Sequence, residues 1–511
     1  YNRSPRITSG ERSDFLVDLS SLYQYFDQVY RNSVSVGALY NLAWKSARSK
    51  IQLNNTFSTT AEDQLLNRQG HDNDLASQIQ AYSLYYRSNR LFISQLIGEH
   101  ALTERQIKLN WGISYNRSNR EVPSYRRMIY SKSDDAEANA PFYASVPSGS
   151  PSPNFAGNFY SVQDESSLNG RLDVTVPYFI SSQKGSFKAG GLVEGKERDF
   201  DARLFGFVSG NQTPQELFTL PIATIFAPKN IGDQGFRMRE SPDLSDSYDA
   251  SSMLGAGYAM LEQSFSNRLR FIGGVRAESF QQELNSFKVL RPDEPVNIDT
   301  TYLDVLPSAH FIFALSDSAN LRLAVAKTVI RPNFRELAPL AFFDFELFAG
   351  VEGNPALKRT QVWNADLRFE TYRRGAQYFA VSLFYKKFNH PIEQVRLAGT
   401  KAYKWENVPS AIDLGAEVEG RLKLTRLAGF LRDFMVFGNV SYIYSDVDVS
   451  QTSDKLERPL FGQSPFLVNA GLNYSNPELG FTSTVLFNRI GRRVWLVGYD
   501  QYLHTWEAPR S

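Results

Sequence analysis

The 511-residue chain contains no cysteine. Disulfides, thiolate nucleophiles and cysteine-ligated metals are therefore excluded. The chain also has no excess of positive or negative charge, because it contains 55 basic and 54 acidic residues. We therefore predict no nucleic-acid partner. The five histidines show no metal-binding spacing, and phosphate-binding and dinucleotide-binding loops are missing. The sequence thus predicts neither an enzyme, nor a metal site, nor a cofactor.

Long hydrophobic runs are absent as well. No segment approaches the roughly 20 apolar residues that a transmembrane helix requires. This excludes a helical membrane protein. A membrane-spanning β-strand needs only about 9–11 residues, half of them apolar, so it stays possible.

The sequence does contain a repeated alternation of apolar and polar residues. In 412–424, Ile412, Leu414 and Val418 share one face, while Glu417 and Glu419 share the other. Sixteen segments are strand candidates: 33–44, 48–60, 78–100, 105–117, 168–179, 185–198, 251–264, 267–281, 302–315, 319–330, 361–373, 376–388, 412–426, 432–446, 465–475 and 480–490. Sixty-nine aromatic residues (Trp 6, Tyr 26, Phe 37) suit strands and membrane-interface girdles.

Short and long connections alternate between these candidates. The long ones are 118–167, 199–250, 282–301, 331–360, 389–411 and 447–464. Short periplasmic turns and long extracellular loops are typical of outer-membrane barrels. We therefore predict an all-β fold, a transmembrane antiparallel β-barrel, with 1–511 as a single domain. A soluble β-sandwich or propeller is the alternative, but it would not explain why the long loops lie on one side.

Several short motifs resemble one known family. In order they are IFAPKNIG (225–232), SDSYDASS (245–252), GVRAE (274–278), LDVLPS (303–308), RPNFRELAP (331–339), GNPALKRT (353–360), FYKKF (384–388), PIE (391–393) and NRIGRR (488–493). Together they resemble the TonB-dependent outer-membrane receptors, in the form common in Bacteroidota.

This resemblance implies a barrel of about 22 strands, of which this chain would supply about 16 or more. It also implies an N-terminal plug, expected upstream, and last strands beyond this sequence. The implied function is import of an unidentified large solute at the bacterial outer membrane. The implied partners are outer-membrane lipid, the inner-membrane TonB complex acting through the plug, and a possible surface lipoprotein. A scaffold barrel in a multiprotein assembly and a passive porin are the alternatives.

The loop 331–349 is the candidate ligand-binding segment. Guanidinium groups bind carboxylates or phosphates, and exposed aromatic rings stack on flat ligands. The candidate residues are Arg331, Arg335, Glu336, Phe342, Phe343 and Phe345. The alternative is that these side chains pack the loop against its neighbours. Charges within 331–360 cancel, so the sequence predicts no ligand charge.

A second loop, 240–249, carries Glu240, Asp243, Asp246 and Asp249 at every third position. Carboxylates are suitable calcium ligands, but the EF-hand places its ligands at every second position. Solvated loop charge is therefore favoured over a calcium site.

Overall fold

The computed structural model describes residues 2–16, 18–102, 107–180, 182–344, 347, 349–373, 377–397, 402–426, 428–449, 457–498 and 503–509. Its strands are β1 Asn2–Phe15, β2 Ser21–Lys45, β3 Ser49–Asp72, β4 Ser77–Ala101, β5 Lys108–Ser133, β6 Tyr143–Ala144, β7 Ala156–Ile180, β8 Gln183–Ser209, β9 Phe236–Glu240, β10 Ser247–Ser264, β11 Leu269–Lys288, β12 Arg291–Ser316, β13 Ala319–Ile330, β14 Ala341–Asp344, β15 Ala349–Glu352, β16 Thr360–Arg373, β17 Gln377–Asn389, β18 Ile392–Arg396, β19 Tyr403–Asn407, β20 Ser410–Lys423, β21 Phe434–Val447, β22 Phe466–Asn476, β23 Phe481–Ile490, β24 Arg493–Leu496 and β25 Thr505–Glu507.

Helices contribute little. The α-helix α1 covers Phe334–Leu337, and short 3-10 turns cover Gln215–Thr219, Pro228–Asn230, Leu244–Asp246, Leu424–Arg426 and Gly429–Leu431. Among the described residues, no helix is long and apolar enough to cross a membrane.

In the described part of the chain, one antiparallel sheet of 19 strands forms the barrel wall. Two of these, β6 and β9, are short additions to β5 and β8, which leaves seventeen long strands. Each long strand pairs with the next along the chain, from β1 to β23. Within the described residues β1 pairs only with β2, and β23 only with β22, so the wall is an open barrel.

All sixteen predicted strands have a counterpart in this wall, and the all-β barrel prediction is confirmed. The additional strand, β1, was missed because it lacks alternation. Ile7 and Phe15 are its only large apolar residues. Pairing with β2 along its whole length supplies the order that its side chains do not indicate.

The two faces of the wall differ as the alternation predicts. Adjacent strands align half-exposed apolar side chains in one row, namely Phe311, Leu323, Leu367 and Leu383. Val325 lies on this outer face, two residues from Leu323, and is similarly exposed. On the opposite face of β13 and β16, Arg322 donates to Glu370. The outer face is therefore apolar, and the inner face carries charged side chains that pair with one another.

The strands extend further than the sequence patterns indicate. Within the predicted loop 118–167, β5 runs to Ser133 and β7 begins at Ala156. The predicted loop 282–301 is a hairpin of β11 and β12, with only residues 289–290 between them. These bounds differ because the strands continue beyond the lipid-facing band, where buried residues such as Tyr125, Phe159 and Leu284 pack against the long connections. Backbone pairing then persists without alternating side chains.

The longest connections fold into a second structure. The connection from β13 to β16 contains α1, β14 and β15, and the connection from β17 to β20 contains β18 and β19. They form a four-stranded sheet in the order β14-β15-β19-β18, with β15 and β19 parallel. A bridge between Val395 and Val497 attaches the β24–β25 hairpin to it. We call the described residues of 331–359, 390–409, 457–463 and 493–507 the loop cap.

Candidate functional site in the loop cap

Both ends of the 331–359 connection attach to one carboxylate of the wall. Asp304 of β12 is fully buried and accepts hydrogen bonds from Arg331 Nη2 (3.1 Å) and Arg359 Nε (2.7 Å). Arg331 also donates to Glu278 of β11 at 2.6 Å. Each guanidinium additionally lies over an aromatic ring, Arg331 over Phe280 at 4.5 Å. These charged hydrogen bonds fix where the loop leaves and re-enters the wall.

The turn of α1 is held by a capping box. Asn333 Oδ1 accepts from the Glu336 N–H at 3.1 Å, and Glu336 Oε2 accepts from the Asn333 N–H at 3.0 Å. Burial raises the pKa of Glu336, against the lowering effect of the Asn333 N–H. Phe334 and Leu337 on this turn are buried against the upper ends of β10 and β11. Glu336 therefore has a structural contact that accounts for its position.

Arg335 has a different environment from Arg331. Its Nη1 donates to the Leu340 carbonyl at 3.2 Å, and its Nη2 donates to the Val351 carbonyl at 3.3 Å. Among the described residues it forms no ion pair with a carboxylate. Burial lowers the pKa of Arg335, because removing a cation from water disfavours its charged form.

The aromatic residues of β14 reach the inner wall on the far side of the barrel. Phe342 lies edge-to-face with Phe159 of β7, with ring centroids 5.4 Å apart, and it stacks on Tyr125 of β5 at 6.4 Å. Arg127 of β5 lies 5.6 Å above the ring of Phe343. Phe345, the remaining predicted residue, lies outside the described residues. The described rings thus join the cap to a wall cluster that includes Leu66 and Ile79.

Two buried ion pairs hold the other parts of the cap together. Arg458 donates to Glu393 of β18 through Nη1 (3.0 Å) and Nη2 (2.8 Å), and Glu393 also accepts the Phe461 N–H at 2.8 Å. Arg396, at the end of β18, donates to Asp14 of β1 at 2.8 Å. Since β1 is the first wall strand and β18 lies in the connection between β17 and β20, the Arg396–Asp14 contact shows that the wall curls round beneath the cap.

A cavity of about 340 Å³ lies between the cap and β1 of the wall. Its aromatic lining comes from four separate segments and consists of Phe342, Trp405, Phe461 and Trp495. Polar side chains also line it, namely Arg12, Arg335, Asp344 and Gln394. Arg12 and Trp495 are shared with a larger cavity of about 580 Å³ beside β1 and β2. Concave sites with aromatic walls and few polar groups are typical of small-molecule binding.

The structure therefore separates the predicted candidates. Arg335 and Phe342 line the cavity, whereas Arg331, Glu336 and Phe343 have contacts with the wall or with their own turn. Sequence reasoning missed Arg12, Trp405, Phe461 and Trp495. They lie in segments up to several hundred residues apart, and no local spacing links them. Only the abundance of aromatic residues in the loops was a signal.

The acidic loop 240–249 forms protein contacts instead of a cation site. Glu240 accepts two hydrogen bonds from Arg203, and Asp243 and Asp246 cap the 3-10 turn Leu244–Asp246. Burial raises the pKa of Asp246 to about 7. Across the described part of the chain, no three or more His, Asp or Glu side chains converge to hold a metal ion.

Comparison with known proteins gives one family and one fold. The family model for the TonB dependent receptor-like beta-barrel matches residues 2–508. A search of curated proteins found no match. Among solved structures, the unliganded ferric citrate transporter FecA is 11% identical, with 96% of this chain and 66% of that chain covered and a TM-score of 0.55.

Two further structures have the same fold. The copper transporter OprC is 13% identical, covering 100% of this chain and 70% of that chain, with a TM-score of 0.54. The siderophore receptor PiuA from Acinetobacter baumannii is 11% identical, covering 99% of this chain and 80% of that chain, with a TM-score of 0.53. At these identities the similarity establishes the barrel fold alone. The chain spans about two thirds of the length of the ferric citrate transporter.

Proposed function

Because the chain belongs to the family of TonB-dependent receptor β-barrels, we propose that the complete protein imports a large solute across the outer membrane. The protein is located in the bacterial outer membrane, with the apolar outer face of its wall against lipid. Energy would come from the inner-membrane TonB complex. The chemistry is binding and passage, and no covalent step is required.

The loop cap is the observation that carries this proposal. Segments from four parts of the chain interlock over the wall, and buried ion pairs such as Arg458–Glu393 hold them. A passive porin needs an open path and gains nothing from such a cap. A scaffold barrel needs binding surfaces but no internal cavity lined by four aromatic side chains. Capture followed by regulated release uses both features.

The polar side chains on the inner face of the wall favour the proposal that a plug fills the lumen. Arg322 and Arg368 both donate to Glu370, and Arg368 also pairs with Glu419. Such a polar inner face is suited to water or to a polar domain inside the barrel. We propose that a plug upstream in the complete protein occupies this space and contacts the TonB complex. A surface lipoprotein partner and a Bacteroidota source stay predictions from the sequence resemblance.

We also propose that the long connections lie outside the cell. Cysteine labelling of intact cells tests this orientation, because these 511 residues contain no thiol to interfere. Ser150→Cys lies in the 134–155 connection, and Ser318→Cys lies in the short turn between β12 and β13. An impermeant maleimide is expected to label position 150 only. Labelling at 318 with none at 150 would reverse the orientation.

Solute depletion measures the proposed import. Cells that produce the full-length protein are grown with and without a functional TonB complex, and the medium is profiled for solutes that only the first cells remove. Depletion that continues without the TonB complex would favour a porin. No depletion, together with stable copurification of other proteins, would favour a scaffold. Small molecules that copurify with the protein identify candidate solutes.

A further inference from the structure

The loop cap distributes its charges unevenly. Arg331 and Arg359 are neutralised by Asp304, with further help from Glu278. Arg458 and Arg396 are neutralised by Glu393 and Asp14. The balanced charge of the loop sequence therefore does not describe the charge that faces the cavity.

Arg335 is the exception among these arginines. It contacts two backbone carbonyls and has no carboxylate partner among the described residues. Carbonyl dipoles compensate a buried cation only in part, and a buried charge without a counter-ion is unfavourable. A guanidinium carries five N–H donors, so most of its donors stay available after these two hydrogen bonds. An anion in the cavity would supply the missing charge.

The other cavity groups define the remainder of the ligand. Trp405 and Trp495 offer ring surfaces, and Gln394 offers an amide. Arg12 adds a second cation, although it already pairs with Asp27 at 3.2 Å. Asp344 is the one carboxylate of the lining, and its Oδ1 accepts the Leu347 N–H at 2.9 Å. Asp344 would repel an anionic ligand, but the two guanidinium groups of Arg12 and Arg335 outnumber this single carboxylate among the described lining residues.

We propose that the cap cavity binds a solute with a carboxylate or phosphate group attached to a ring-bearing portion, and that Arg335 contacts the anionic group. The anionic oxygens would accept from the guanidinium, and the rings would stack on the tryptophans. This inference rests on the proposed import function, whose solute class it names.

The test uses probes of matched shape and different charge. The full-length protein, purified in lipid nanodiscs, is titrated by calorimetry with 2-naphthoate, 2-naphthyl phosphate and the neutral 2-naphthamide. At least one anionic probe is expected to bind about tenfold more tightly than the amide, as one charge-assisted hydrogen bond implies. Preference for naphthoate or for naphthyl phosphate distinguishes the two anionic groups. Equal binding of all three probes would overturn the proposal.

Variants assign the preference to Arg335. Arg335→Gln is expected to remove the tenfold preference and to leave amide binding unchanged. Arg127→Gln is the matched control, since Arg127 likewise has no described carboxylate partner, but it stacks between Tyr125 and Phe343 and is not among the described lining residues. This control should keep the preference. An unchanged preference in Arg335→Gln, or an equal loss in both variants, would contradict the assignment.

A conservative variant covers the case in which Arg335→Gln disrupts the cap. If that variant binds no probe, Arg335→Lys decides, because it keeps the charge. The proposal stands if the lysine variant prefers the anionic probes, and it is overturned if that variant binds all probes equally. Binding by the purified protein does not depend on the TonB complex. Anion-selective binding without uptake would therefore refute import alone, and TonB-dependent uptake without anion selectivity would refute this inference alone.

Discussion

The wall and the loop cap of this protein are stabilised in different ways. Every long wall strand pairs with its sequence neighbour through a long antiparallel ladder, so each hydrogen bond is one of many. The cap relies on few contacts between distant segments, such as Asp14 with Arg396, which lie 382 residues apart. The wall therefore tolerates single changes on its aqueous faces, whereas the cap depends on individual buried side chains. The following predictions test this difference, from the largest expected effect to the smallest.

The largest effect is expected from the buried ion pair of the cap. Glu393→Ala leaves Arg458 buried without its carboxylate and removes the acceptor of the Phe461 N–H. Loss of one partner of such a pair costs about 3–5 kcal/mol. Hydrogen exchange should show opening of 390–409 and 457–463, with the wall strands still protected.

The exposed pair Arg432–Glu478, 3.4 Å apart, provides the control for this change. Glu478→Ala should leave hydrogen exchange unchanged, because exposed ion pairs contribute little to stability. Equal effects of the two substitutions would remove the distinction between cap and wall.

On the wall, the sensitive positions are those that face lipid. Val325→Arg places a charge on the outer face of β13, at a cost of about 2–4 kcal/mol if the position lies at mid-membrane. Val325→Leu is the apolar control and should be neutral. Folding of the full-length protein into lipid vesicles, followed by urea titration, measures both. A negligible cost for the arginine would place Val325 away from the hydrocarbon.

A smaller, pH-dependent effect is expected at Asp246, outside the membrane. Burial raises its pKa to about 7, so the folded state holds a proton that the unfolded state loses near its ordinary pKa of 3.8. Stability therefore falls as pH rises from about 4 to about 7 and is constant above that.

Asp246→Asn tests this sign, because the amide oxygen can still accept the Asp243 N–H. In the Asp246→Asn variant, the loss of protection from hydrogen exchange at residues 236–250 between about pH 4 and pH 7 should disappear. At pH 8 these residues should be better protected in the variant than in the native protein. Identical pH profiles for the two proteins would show that burial does not raise the pKa of Asp246.

The smallest effect concerns the aromatic contact between cap and wall. Phe342→Leu removes the edge-to-face contact with Phe159 and should cost about 1 kcal/mol. Limited proteolysis within 331–359 is expected to become a few times faster. A wall substitution of the same kind, Phe379→Leu on the exposed outer face, should leave this rate unchanged.

Sequence patterns predicted the wall well and the site poorly. Alternation identified sixteen of the seventeen long strands, because each of those strands has lipid on one side and water or polar groups on the other. It missed β1, whose two large apolar residues make no pattern. It also ended β11 too early, because the residues after Gln281, such as the fully buried Leu284, pack against the loop cap and do not continue the apolar–polar alternation. Of the six predicted ligand residues, the structure places Arg335 and Phe342 at the cavity, and their role in binding stays a prediction.

The sequence by itself determined the fold class, the direction in which each alternating strand presents its side chains, and the absence of thiol chemistry. These properties depend on local periodicity and composition. Only the tertiary structure decided which charges are already neutralised. Arg331 and Arg335 are four residues apart and chemically identical, yet among the described residues one pairs with Asp304 of β12 and the other donates to two backbone carbonyls. Pairing across distant segments leaves no periodic pattern in the chain, because each partner is chosen by position in space.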